Sequence, residues 1–514
     1  MSMGMFRNQK ANKFALLTPK EMDSADRKAI AGGVSGADLM EAAGRAVAEA
    51  VMARWTKCPV TVLCGPGKNG GDGFVAARYL TEACWPVKIT LLGPRENLKG
   101  DAAYHAGSWS NETEPFSPDI LYGKGIIIDA IFGSGLSRPV DGIAGEMISS
   151  LKERKIPICA IDVPSGVDGA TGLVRGNAAP ADITVTFFCK KPGHLLYPGR
   201  ALCGSVIVAD IGIPTAVLDE INPQNYENSP ELWLDQYPWP EPTQNKYQRG
   251  EVLILGGETI TGASRLSARG AMRAGAGLVT LAAPSSSWLI YATSLTSAIV
   301  RCFDDIKEFD ALLADARRNV IVLGPGAGVG QTTKQYVLAA LAVERKVVLD
   351  ADALTSFAGS PEELFQAVNY PCVMTPHEGE FDRLFDIKGD KLHRARSAAK
   401  KSKAVVLLKG SDTVIAAPDG RAIINSNSVP QLATGGSGDV LTGIIAGLLA
   451  QGMDAFHAAA AGAWMHCEAA STIGPGLIAE DLPEALPQVL KKLAEMTIAD
   501  GIVPAEKCHA TEYI

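Results

Sequence analysis

Short apolar runs that alternate with helical patterns organise the first part of the chain. Two amphipathic helical patterns come first, over residues 19–31 and 35–54. Continuous runs of β-branched and aliphatic residues then follow at 60–64, 87–92, 125–131, 156–163, 182–188 and 205–211. Such runs are typical of parallel strands that helices cover on both faces. We therefore predict a doubly wound parallel sheet, Rossmann-like in the broad sense.

A second α/β domain is predicted after an interruption of this pattern. Residues 214–241 are rich in Pro, Asn, Asp, Glu and Trp, and repeated prolines cannot form regular ladders. The alternation restarts at 251–255 and continues at 277–282, 319–323, 346–349, 372–375 and 404–408. A hairpin is expected over 413–417 and 421–425. We predict two α/β domains, residues 1–213 and 242–514, joined by a linker over 214–241.

Composition and charge narrow the functional class. A chain of 514 residues exceeds what one hydrophobic core usually organises. The net charge of -8, without a cluster of Lys and Arg, argues against nucleic acid as a partner. The ten cysteines are scattered singly along the chain. No apolar stretch reaches the ~20 residues of a membrane span, and none follows the N-terminus as in a signal peptide. We expect a cytoplasmic enzyme that binds no membrane.

A glycine-rich segment, residues 64–73, follows the first predicted strand. Glycines let backbone N–H groups approach an anion at a helix N-terminus, and we expect that helix to begin near Phe74. A phosphate-bearing ligand or a tight structural turn would both explain the segment. Three of its glycines match the spacing G-x-G-x-x-G, but Leu92-Gly93-Pro94 stands where an acidic ribose-binding residue is expected. An ordinary NAD dehydrogenase is therefore disfavoured.

Polar residues follow two further strands of the first half. Asp129 ends one apolar run, and Asp162 with Ser165 ends the next. In an open parallel sheet, ligands bind outside the carboxyl ends of the strands. A carboxylate at such a place can cap the following loop, bind a hard cation or act as an acid or base. Because three strand ends carry polar or glycine-rich segments, the pattern favours a binding site.

In the second half, residues 433–443 pass from small residues into an apolar helix that we expect to begin at Val440. Glycines and a first helical turn present unpaired N–H donors beside Asp439, an arrangement suited to phosphoryl transfer. Glycine-rich packing with Asp439 as a helix-end charge is the alternative. His377 follows another strand and is either a structural histidine or a site residue. No G-x-x-x-x-G-K-[ST] occurs, which excludes a P-loop kinase.

The first half resembles the NAD(P)H-hydrate epimerase family over about residues 19–214. The likeness rests on the segments 67–73, 129–136 and 162–169, flanked by 39–45 and 191–193. It implies that Asp162 carries out the proton chemistry and that Asn69, Asp129 and Ser165 bind a potassium ion. Lys68 departs from the family, which often has Asn there. The resemblance implies that the hydrated cofactor contacts Lys68, Asn69, Gly70, Gly71, Asp72, Gly133, Ser134, Gly135, Leu136, Ser137, Arg138, Pro139 and Asp162.

The second half resembles the ribokinase-like superfamily, and within it the ADP- or ATP-dependent NAD(P)H-hydrate dehydratase branch, over about residues 246–490. The segments that carry the likeness are 246–250, 256–257, 273–279, 324–326, 350–354, 375–380, 409–410 and 433–443. It implies Asp439 as the catalytic base and Mg²⁺ bound with the nucleotide. The hydrated cofactor would contact Ala263, Gly326, His377 and Asp439. The nucleotide would contact Lys409, Gly410, Ser411, Asp412, Thr413 and Gly438.

Both resemblances together imply a bifunctional repair enzyme, expected to be a homo-oligomer. The first domain would epimerise the R and S forms of hydrated NADH and NADPH. The second would dehydrate the S form with ADP, or ATP, and we expect ADP as the donor, giving AMP and phosphate. The alternative is a thiazole, pyrimidine or sugar kinase of the ribokinase-like superfamily with a non-catalytic N-terminal module. A persistent phosphorylated product would identify that kinase.

Overall fold

The computed structural model of the chain describes residues 9–121 and 125–499. They form two compact units that divide between Tyr226 and Glu227. Each unit is an α/β structure built on its own sheet, which confirms the predicted fold class. Among the described residues, none of the helices is both long enough and apolar enough to span a bilayer.

The first unit contains a sheet of seven parallel strands in the order β3-β2-β1-β4-β5-β6-β7. Its strands are β1 (Val60–Cys64), β2 (Val87–Leu91), β3 (Glu114–Pro115), β4 (Ile126–Ala130), β5 (Ile158–Ile161), β6 (Ile183–Phe187) and β7 (Ser205–Ala209). Its helices are α1 (Gln9–Asn12), α2 (Pro19–Ala31), α3 (Gly36–Arg54), α4 (Lys68–Glu82), α5 (Gly100–Gly107), α6 (Gly142–Arg154), α7 (Gly199–Leu202) and α8 (Val217–Ile221).

The strand order of the first sheet locates its binding crevice. Strands β2 and β3 lie on one side of β1, whereas β4 to β7 lie on the other. The carboxyl ends of β1 and β4 therefore flank a topological switch point, where open α/β sheets bind ligands. Strands β4, β5 and β6 are buried along their whole length, as their unbroken apolar sequences predict.

The second unit contains a mixed sheet of ten strands in the order β11-β10-β9-β12-β13-β14-β15-β16-β17-β8. Its strands are β8 (Asn225–Glu227), β9 (Glu251–Leu255), β10 (Leu278–Pro284), β11 (Ile299–Phe303), β12 (Val320–Leu323), β13 (Lys346–Leu349), β14 (Cys372–Met374), β15 (Val405–Leu408), β16 (Val414–Ala416) and β17 (Ala422–Ile424). Its helices are α9 (Thr261–Arg273), α10 (Trp288–Ser294), α11 (Ile306–Leu313), α12 (Gln331–Ala342), α13 (Ala351–Thr355), α14 (Pro361–Ala367), α15 (Glu378–Leu384), α16 (Lys391–Ser402), α17 (Ser437–Ala450), α18 (Ala455–Ile473) and α19 (Asp481–Ala499).

The pairing within the second sheet changes from parallel to antiparallel at β15. Strands β9 to β15 pair in parallel, whereas β15, β16 and β17 pair antiparallel, which confirms the predicted hairpin. The sequence did not predict β11, an edge strand whose first four residues are at least partly exposed. Without a continuous buried run, such a strand lacks the signal that identified its neighbours.

Helix α17 is the buried centre of the second unit. Every residue from Val440 to Ala450 is buried, because α9, α18 and the sheet surround the helix. At Gly443 the backbones of α17 and α9 come so close that a Cβ would lie 2.1 Å from the carbonyl oxygen of Ser267. The apolar run at 440–450 therefore forms a helix that is buried inside the second unit.

Two predicted helix starts were wrong. Helix α4 begins at Lys68 instead of near Phe74, and α17 begins at Ser437 instead of at Val440. Glycine has a low helix propensity, so a glycine-rich start reads as a loop. Here close packing requires glycine, because a Cβ at Gly70 would lie 1.9 Å from the carbonyl oxygen of Gly65. Asp439 consequently lies within the first turn of its helix.

The segment predicted as a linker, residues 214–241, is largely ordered. It contains α8, β8 and two 3₁₀ turns, Pro230–Leu232 and Leu234–Gln236. The side chain of Trp233 is fully buried, and its indole N–H donates a hydrogen bond to Asn228 Oδ1 over 3.2 Å. That residues 1–213 and 242–514 fold as independent units stays a prediction.

Candidate active sites

The first unit has a cavity of about 490 Å³ at its topological switch point. The loops after β1, β4 and β5 contribute to its wall, as do α2 and α3. Ten of the predicted contact residues line it: Lys68, Asn69, Asp72, Gly133, Ser134, Gly135, Leu136, Ser137, Arg138 and Asp162. Gly70, Gly71 and Pro139 do not line it. Gly70 packs on Gly65 and Gly71 on Met40, so these two glycines allow close packing of α4.

Asp162 is fixed in the cavity wall by four contacts. It directly follows β5 with a φ of +66°, in the left-handed region that a residue with a Cβ seldom adopts. Its Oδ1 lies 2.8 Å from Lys191 Nζ and accepts a hydrogen bond from Thr186 Oγ1 over 3.1 Å, while its Oδ2 accepts one from the Ser134 N–H over 2.8 Å. Its carbonyl oxygen accepts a hydrogen bond from His194 Nε2 over 2.7 Å. The carboxylate orientation is therefore set by β6, by the loop after β6 and by the loop after β4.

Lys191 is an ammonium group buried within the protein. Its side chain is 1% exposed, and it donates hydrogen bonds to Thr186 Oγ1 over 2.7 Å and the Phe187 carbonyl over 3.4 Å besides its contact with Asp162. Burial alone would raise the pKa of Asp162, but the adjacent Lys191 charge and the Ser134 hydrogen bond outweigh burial and leave that pKa well below its usual range. Asp162 is consequently ionised at neutral pH.

Asp72 and Lys68 approach the same cavity from α4. Burial raises the pKa of Asp72 well above its usual range, and the negative charges of Asp162 and Asp26 raise it further. Lys68 Nζ donates a hydrogen bond to Asp26 Oδ2 over 3.0 Å and lies 3.8 Å from Asp23 Oδ1. The Lys68 charge is thus already paired by α2, while Asp72 forms no ion pair within the described part of the chain.

The three predicted potassium ligands form two groups in the structure. Ser165 Oγ donates to Asp129 Oδ1 over 2.5 Å, and the Ser165 N–H donates to Asp129 Oδ2 over 2.8 Å. Asp129 is buried, and burial raises its pKa in spite of these bonds. Asn69 Oδ1 lies against Gly133 instead, and its buried Nδ2 has no hydrogen-bond acceptor among the described residues.

The second candidate site lies at the carboxyl ends of β12 to β15. Loop residues after these strands contact one another there: a Cβ at Gly324 would lie 1.8 Å from the Asp350 carbonyl, and the Gly328 N–H donates to Asp352 Oδ2 over 2.9 Å. Gly326 packs beside Ala263 of α9, since a Cβ at Gly326 would lie 3.4 Å from the Ala263 Cβ. The structure thus brings two of the predicted substrate contacts together.

Lys409 lies between two acidic residues and Gly438 at this place. Its Nζ lies 2.7 Å from Asp350 Oδ1 and 4.0 Å from Glu380 Oε2, and 3.3 Å from where a Cβ of Gly438 would be. His377 caps α15 by accepting hydrogen bonds from the N–H groups of Gly379 and Glu380. His377 is therefore a helix cap whose half-exposed ring faces solvent beside the Glu380 and Lys409 pair.

Asp439 lies in the first turn of α17, close to these charges. Burial raises its pKa to about 7, the negative charge of Asp350 contributes in the same direction, and Lys409 opposes them. Ser267 Oγ donates to the Asp439 carbonyl over 2.8 Å, while Thr442 Oγ1 donates to Asp350 Oδ2 over 2.7 Å. A carboxyl with a pKa near 7 is matched to general base catalysis at neutral pH.

The predicted nucleotide segment, residues 409–413, forms a turn after β15. Thr413 Oγ1 donates to the Gly410 carbonyl over 2.8 Å and accepts from the Gly410 N–H over 3.1 Å. Gly410 and Ser411 are exposed, whereas Asp412 is buried. Lys391 Nζ donates to Asp412 Oδ1 over 2.6 Å and to the Lys409 carbonyl over 3.4 Å. A positive charge therefore underlies this turn.

Comparisons with known proteins cover both halves of the chain. Residues 36–193 match the family model described as YjeF-related protein N-terminus, and residues 252–496 match the model described as NAD(P)H-hydrate dehydratase. A bifunctional NAD(P)H-hydrate repair enzyme of Moorella thermoacetica is 36% identical over 93% of this chain and 97% of its own length. The corresponding enzyme of Coxiella burnetii is 34% identical over 90% of this chain and 96% of its own.

The chain belongs to the family of bifunctional NAD(P)H-hydrate repair enzymes. Among solved structures, an ADP/ATP-dependent NAD(P)H-hydrate dehydratase from Bacillus subtilis, co-crystallised with ATP and Mg²⁺, is similar to the second half of this family member. It is 29% identical, with a TM-score of 0.46, and it covers 51% of this chain and 96% of that chain.

Four charged residues of this repair-family chain have contacts at the two sites, although sequence reasoning assigned them no role there. They are Lys191 in the first site and Asp350, Glu380 and Lys391 in the second. All but Lys391 stood in segments that carried the family resemblance, and Asp350 directly follows a predicted strand. A charged residue at the carboxyl end of a buried strand was the available signal for Asp350. Lys391 lies on a helix start and gave no comparable signal.

Proposed function

We propose that the first unit interconverts the R and S forms of hydrated NADH and NADPH. The second unit then dehydrates the S form with ADP, producing NAD(P)H, AMP and phosphate. One observation carries this proposal. Two separate sites, one around Asp162 and one around Asp439, occur in a chain related over 93% of its length to a bifunctional repair enzyme. Each activity explains the other, because an epimerase supplies the S form from the R form.

In the first unit, Asp162 is the residue we propose for proton chemistry. Its carboxylate is ionised, oriented by Lys191, Thr186 and Ser134, and lines the cavity. The loop after β4 and the first turns of α4 would hold the hydrated cofactor. A helix N-terminus carries unpaired N–H groups and a partial positive charge, so the start of α4 suits the phosphates of a dinucleotide.

A potassium ion fits the donors of the first site. Asn69, Asp129 and Ser165 supply oxygen atoms, which hard cations prefer. Asp129 is a buried carboxylate for which no cationic partner exists among the described residues, and such a carboxylate favours a bound cation. We propose these three residues as the potassium ligands. The ion would supply a positive charge beside the loops that hold the substrate.

In the second unit, we propose that Asp439 removes the proton of the substrate hydroxyl. The hydroxyl oxygen then attacks the terminal phosphorus of ADP, the bond to the bridging oxygen breaks, and AMP leaves. Loss of phosphate from the ring carbon, with loss of a proton from the neighbouring carbon, restores the double bond. The unpaired N–H groups at the start of α17 would face the phosphate charge that moves in this step, and dipoles at such a place stabilise phosphoryl transfer.

The nucleotide itself we place on Lys409, Gly410, Ser411, Asp412, Thr413 and Gly438. Substrate contacts would come from Ala263, Gly326 and His377 in addition to Asp439. Mg²⁺ would arrive with the nucleotide, since it commonly binds through substrate phosphates and few protein ligands. In the described residues no group of three His, Cys, Asp or Glu side chains is arranged to hold a metal. A nucleotide-borne ion needs no such group.

The proposal is tested by supplying each epimer separately. Purified protein is incubated with R or S hydrate, with ADP, ATP or no nucleotide, and the reduced-nicotinamide absorbance is followed. We expect recovery from the S form with a nucleotide. Recovery from the R form should exceed the rate of spontaneous epimerisation only while the first site is active. A phosphorylated product that persists in the mass spectrum would instead identify a small-molecule kinase. We also propose that the enzyme is cytoplasmic and forms a homo-oligomer. Sedimentation of the purified protein tests the oligomeric state.

A further inference from the structure

We propose that Asp72 is the proton donor of the epimerase site and acts as the partner of Asp162. Its carboxyl protonates the hydroxyl of the hydrated cofactor, and the Asp162 carboxylate accepts the proton of the water that adds back. This inference rests on the proposed epimerase function and assigns a second catalytic residue to it. The two carboxyls line the same cavity from two different elements, α4 and the loop after β5.

The surroundings of Asp72 distinguish it from the other acids of this cavity. Asp72 is 8% exposed, and among the described residues no hydrogen bond or ion pair holds its carboxyl. The two nearby cations are engaged elsewhere: Lys68 pairs with Asp26, and Lys191 with Asp162. A buried carboxylate without a partner is costly, whereas a neutral carboxyl that faces a cavity can donate to a ligand.

The packing of α4 indicates that the Asp72 side chain is held in a fixed position. A Cβ at Gly44 of α3 would lie 2.6 Å from the Asp72 carbonyl oxygen, so α3 presses directly on the backbone of Asp72. On the same helix, a Cβ at Gly73 would lie 2.7 Å from the Ala130 Cβ of β4. The backbone of Asp72 is therefore held between α3 and the sheet.

Two carboxyls with opposite protonation preferences are typical of an acid and base pair. Burial, with the charges of Asp162 and Asp26, raises the pKa of Asp72, whereas the Lys191 charge and the Ser134 hydrogen bond outweigh burial and lower that of Asp162. The charged or titratable groups that act on Asp72 come from several of the elements around it. They are Asp26 of α2, Cys64 of β1, Lys68 of α4, Asp162 after β5 and Lys191 after β6.

The substrate chemistry requires such a pair. Addition of water to the enamine double bond of a dihydronicotinamide puts the hydroxyl on the carbon bonded to the ring nitrogen. Asp72 transfers a proton to this hydroxyl, the C–O bond breaks, water leaves, and the nitrogen lone pair forms a C=N bond. Water then adds to the opposite face, its proton passes to Asp162, and the electron pair returns to nitrogen. Exchange with solvent restores the starting protonation of both acids.

The test uses full-length Asp72→Asn, with Asp72→Glu as the conservative variant and Asp141→Asn as the matched control. Asp141 is exposed at the start of α6 and makes no side-chain cap. After subtraction of spontaneous epimerisation, we expect kcat for epimerisation to fall by about 10²–10⁴-fold in Asp72→Asn, with a small change in KM. Asp72→Glu should recover part of the loss, and the control should resemble the wild type.

The outcomes separate the two proposals. If the wild type does not interconvert the epimers, the epimerase function itself is wrong. If it does, and Asp72→Asn is within about threefold of it, Asp72 is not the proton donor. If the variant fails to fold, the wild-type pH profile decides: kcat should fall as pH rises and Asp72 loses its proton, and a kcat that stays level into the alkaline range would overturn the assignment.

Discussion

The ammonium group of Lys191 lies 2.8 Å from the carboxylate of Asp162, and both groups are withdrawn from solvent. Such a pair is strongly coupled, because removal of one charge leaves the other buried without compensation. The pair also holds the base of the proposed epimerase in its ionised form. Stability and catalysis in the first unit therefore depend on the same contact.

Lys191→Met should destabilise the first unit by about 3–5 kcal/mol, as is usual when a buried ion pair loses one partner. Epimerisation should be lost as well, because the pKa of Asp162 rises without the Lys191 charge. Chemical unfolding of the full chain measures the stability change. Lys152→Met, at an exposed position of α6, is the control and should unfold like the wild type.

The double variant Lys191→Met, Asp162→Asn separates charge from packing. If the lost stability comes from an uncompensated carboxylate, neutralising Asp162 should recover most of it, and the coupling energy of the cycle measures the pair. A double variant as unstable as Lys191→Met alone would contradict that explanation.

The close approach of α17 to α9 gives a prediction for the second unit. In Gly443→Ala the new methyl would lie 2.1 Å from the Ser267 carbonyl oxygen, so the helices must separate. We expect a loss of roughly 1–3 kcal/mol, as is common for overpacking. Because Ser267 also binds the Asp439 carbonyl, dehydration should slow while epimerisation is unaffected.

Gly359→Ala is the matched control for this substitution. Gly359 is exposed in the same unit, its φ lies outside the left-handed region, and a Cβ there meets no atom within 4 Å. Dehydratase turnover and stability should equal those of the wild type. If Gly443→Ala behaves like this control, the spacing of α9 and α17 does not position Asp439.

Residues 214–241 lead to a prediction about fragments. A fragment that begins at Pro242 lacks Trp233, which is buried and lies with its ring 6.0 Å from that of Trp464. A fragment that begins at Glu227 keeps this contact, since the two units divide there. We expect the longer fragment to be soluble and to retain nucleotide-dependent dehydration. The shorter one should unfold at a lower temperature, and equal melting temperatures would show that Trp233 contributes little.

How far the sequence predicts this protein depends on the kind of signal. Runs such as 60–64 and 251–255 coincide with β1 and β9, because a fully buried parallel strand must be apolar throughout. Glycine-rich helix starts were mistaken for loops, since the requirement for glycine at Gly70 comes from contact with Gly65, a tertiary relationship.

The same distinction applies to the sites. Asp162 and Asp439 could be proposed from local signals, because Asp162 ends a predicted strand and Asp439 follows a run of glycines. The partners that tune them, Lys191 and Asp350, come from other strand ends, and only the folded sheet order brings these together. The pKa of Asp439 could not be predicted from its motif, because it depends on burial and on the charge of Asp350.

The pH dependence of dehydration tests the role of Asp439 without any substitution. Burial and the Asp350 charge raise its pKa to about 7, and a general base must be deprotonated to act. The rate with the S form should therefore rise as pH increases through about 7 and level off above it. A rate that stays constant from about pH 5.5 to about pH 8.5, which is about 1.5 units on either side of this pKa, would contradict the assignment of Asp439 as the base.

Asp439→Asn completes that argument. The substitution is nearly isosteric, so α17 and its N–H groups should persist. Because a nearby negative charge is gone, the protein should bind nucleotide about as well as the wild type or more tightly. Without its base, turnover should fall by about 10²–10⁴-fold, and the remaining activity should no longer depend on pH near 7.

Asp352→Asn is the control, because Asp352 also raises the pKa of Asp439 but binds the Gly328 N–H. It should lower the pH midpoint slightly and leave most of the turnover. If Asp439→Asn dehydrates the S form at nearly the wild-type rate, Asp439 is a helix-end charge instead, and the base lies elsewhere in the second unit.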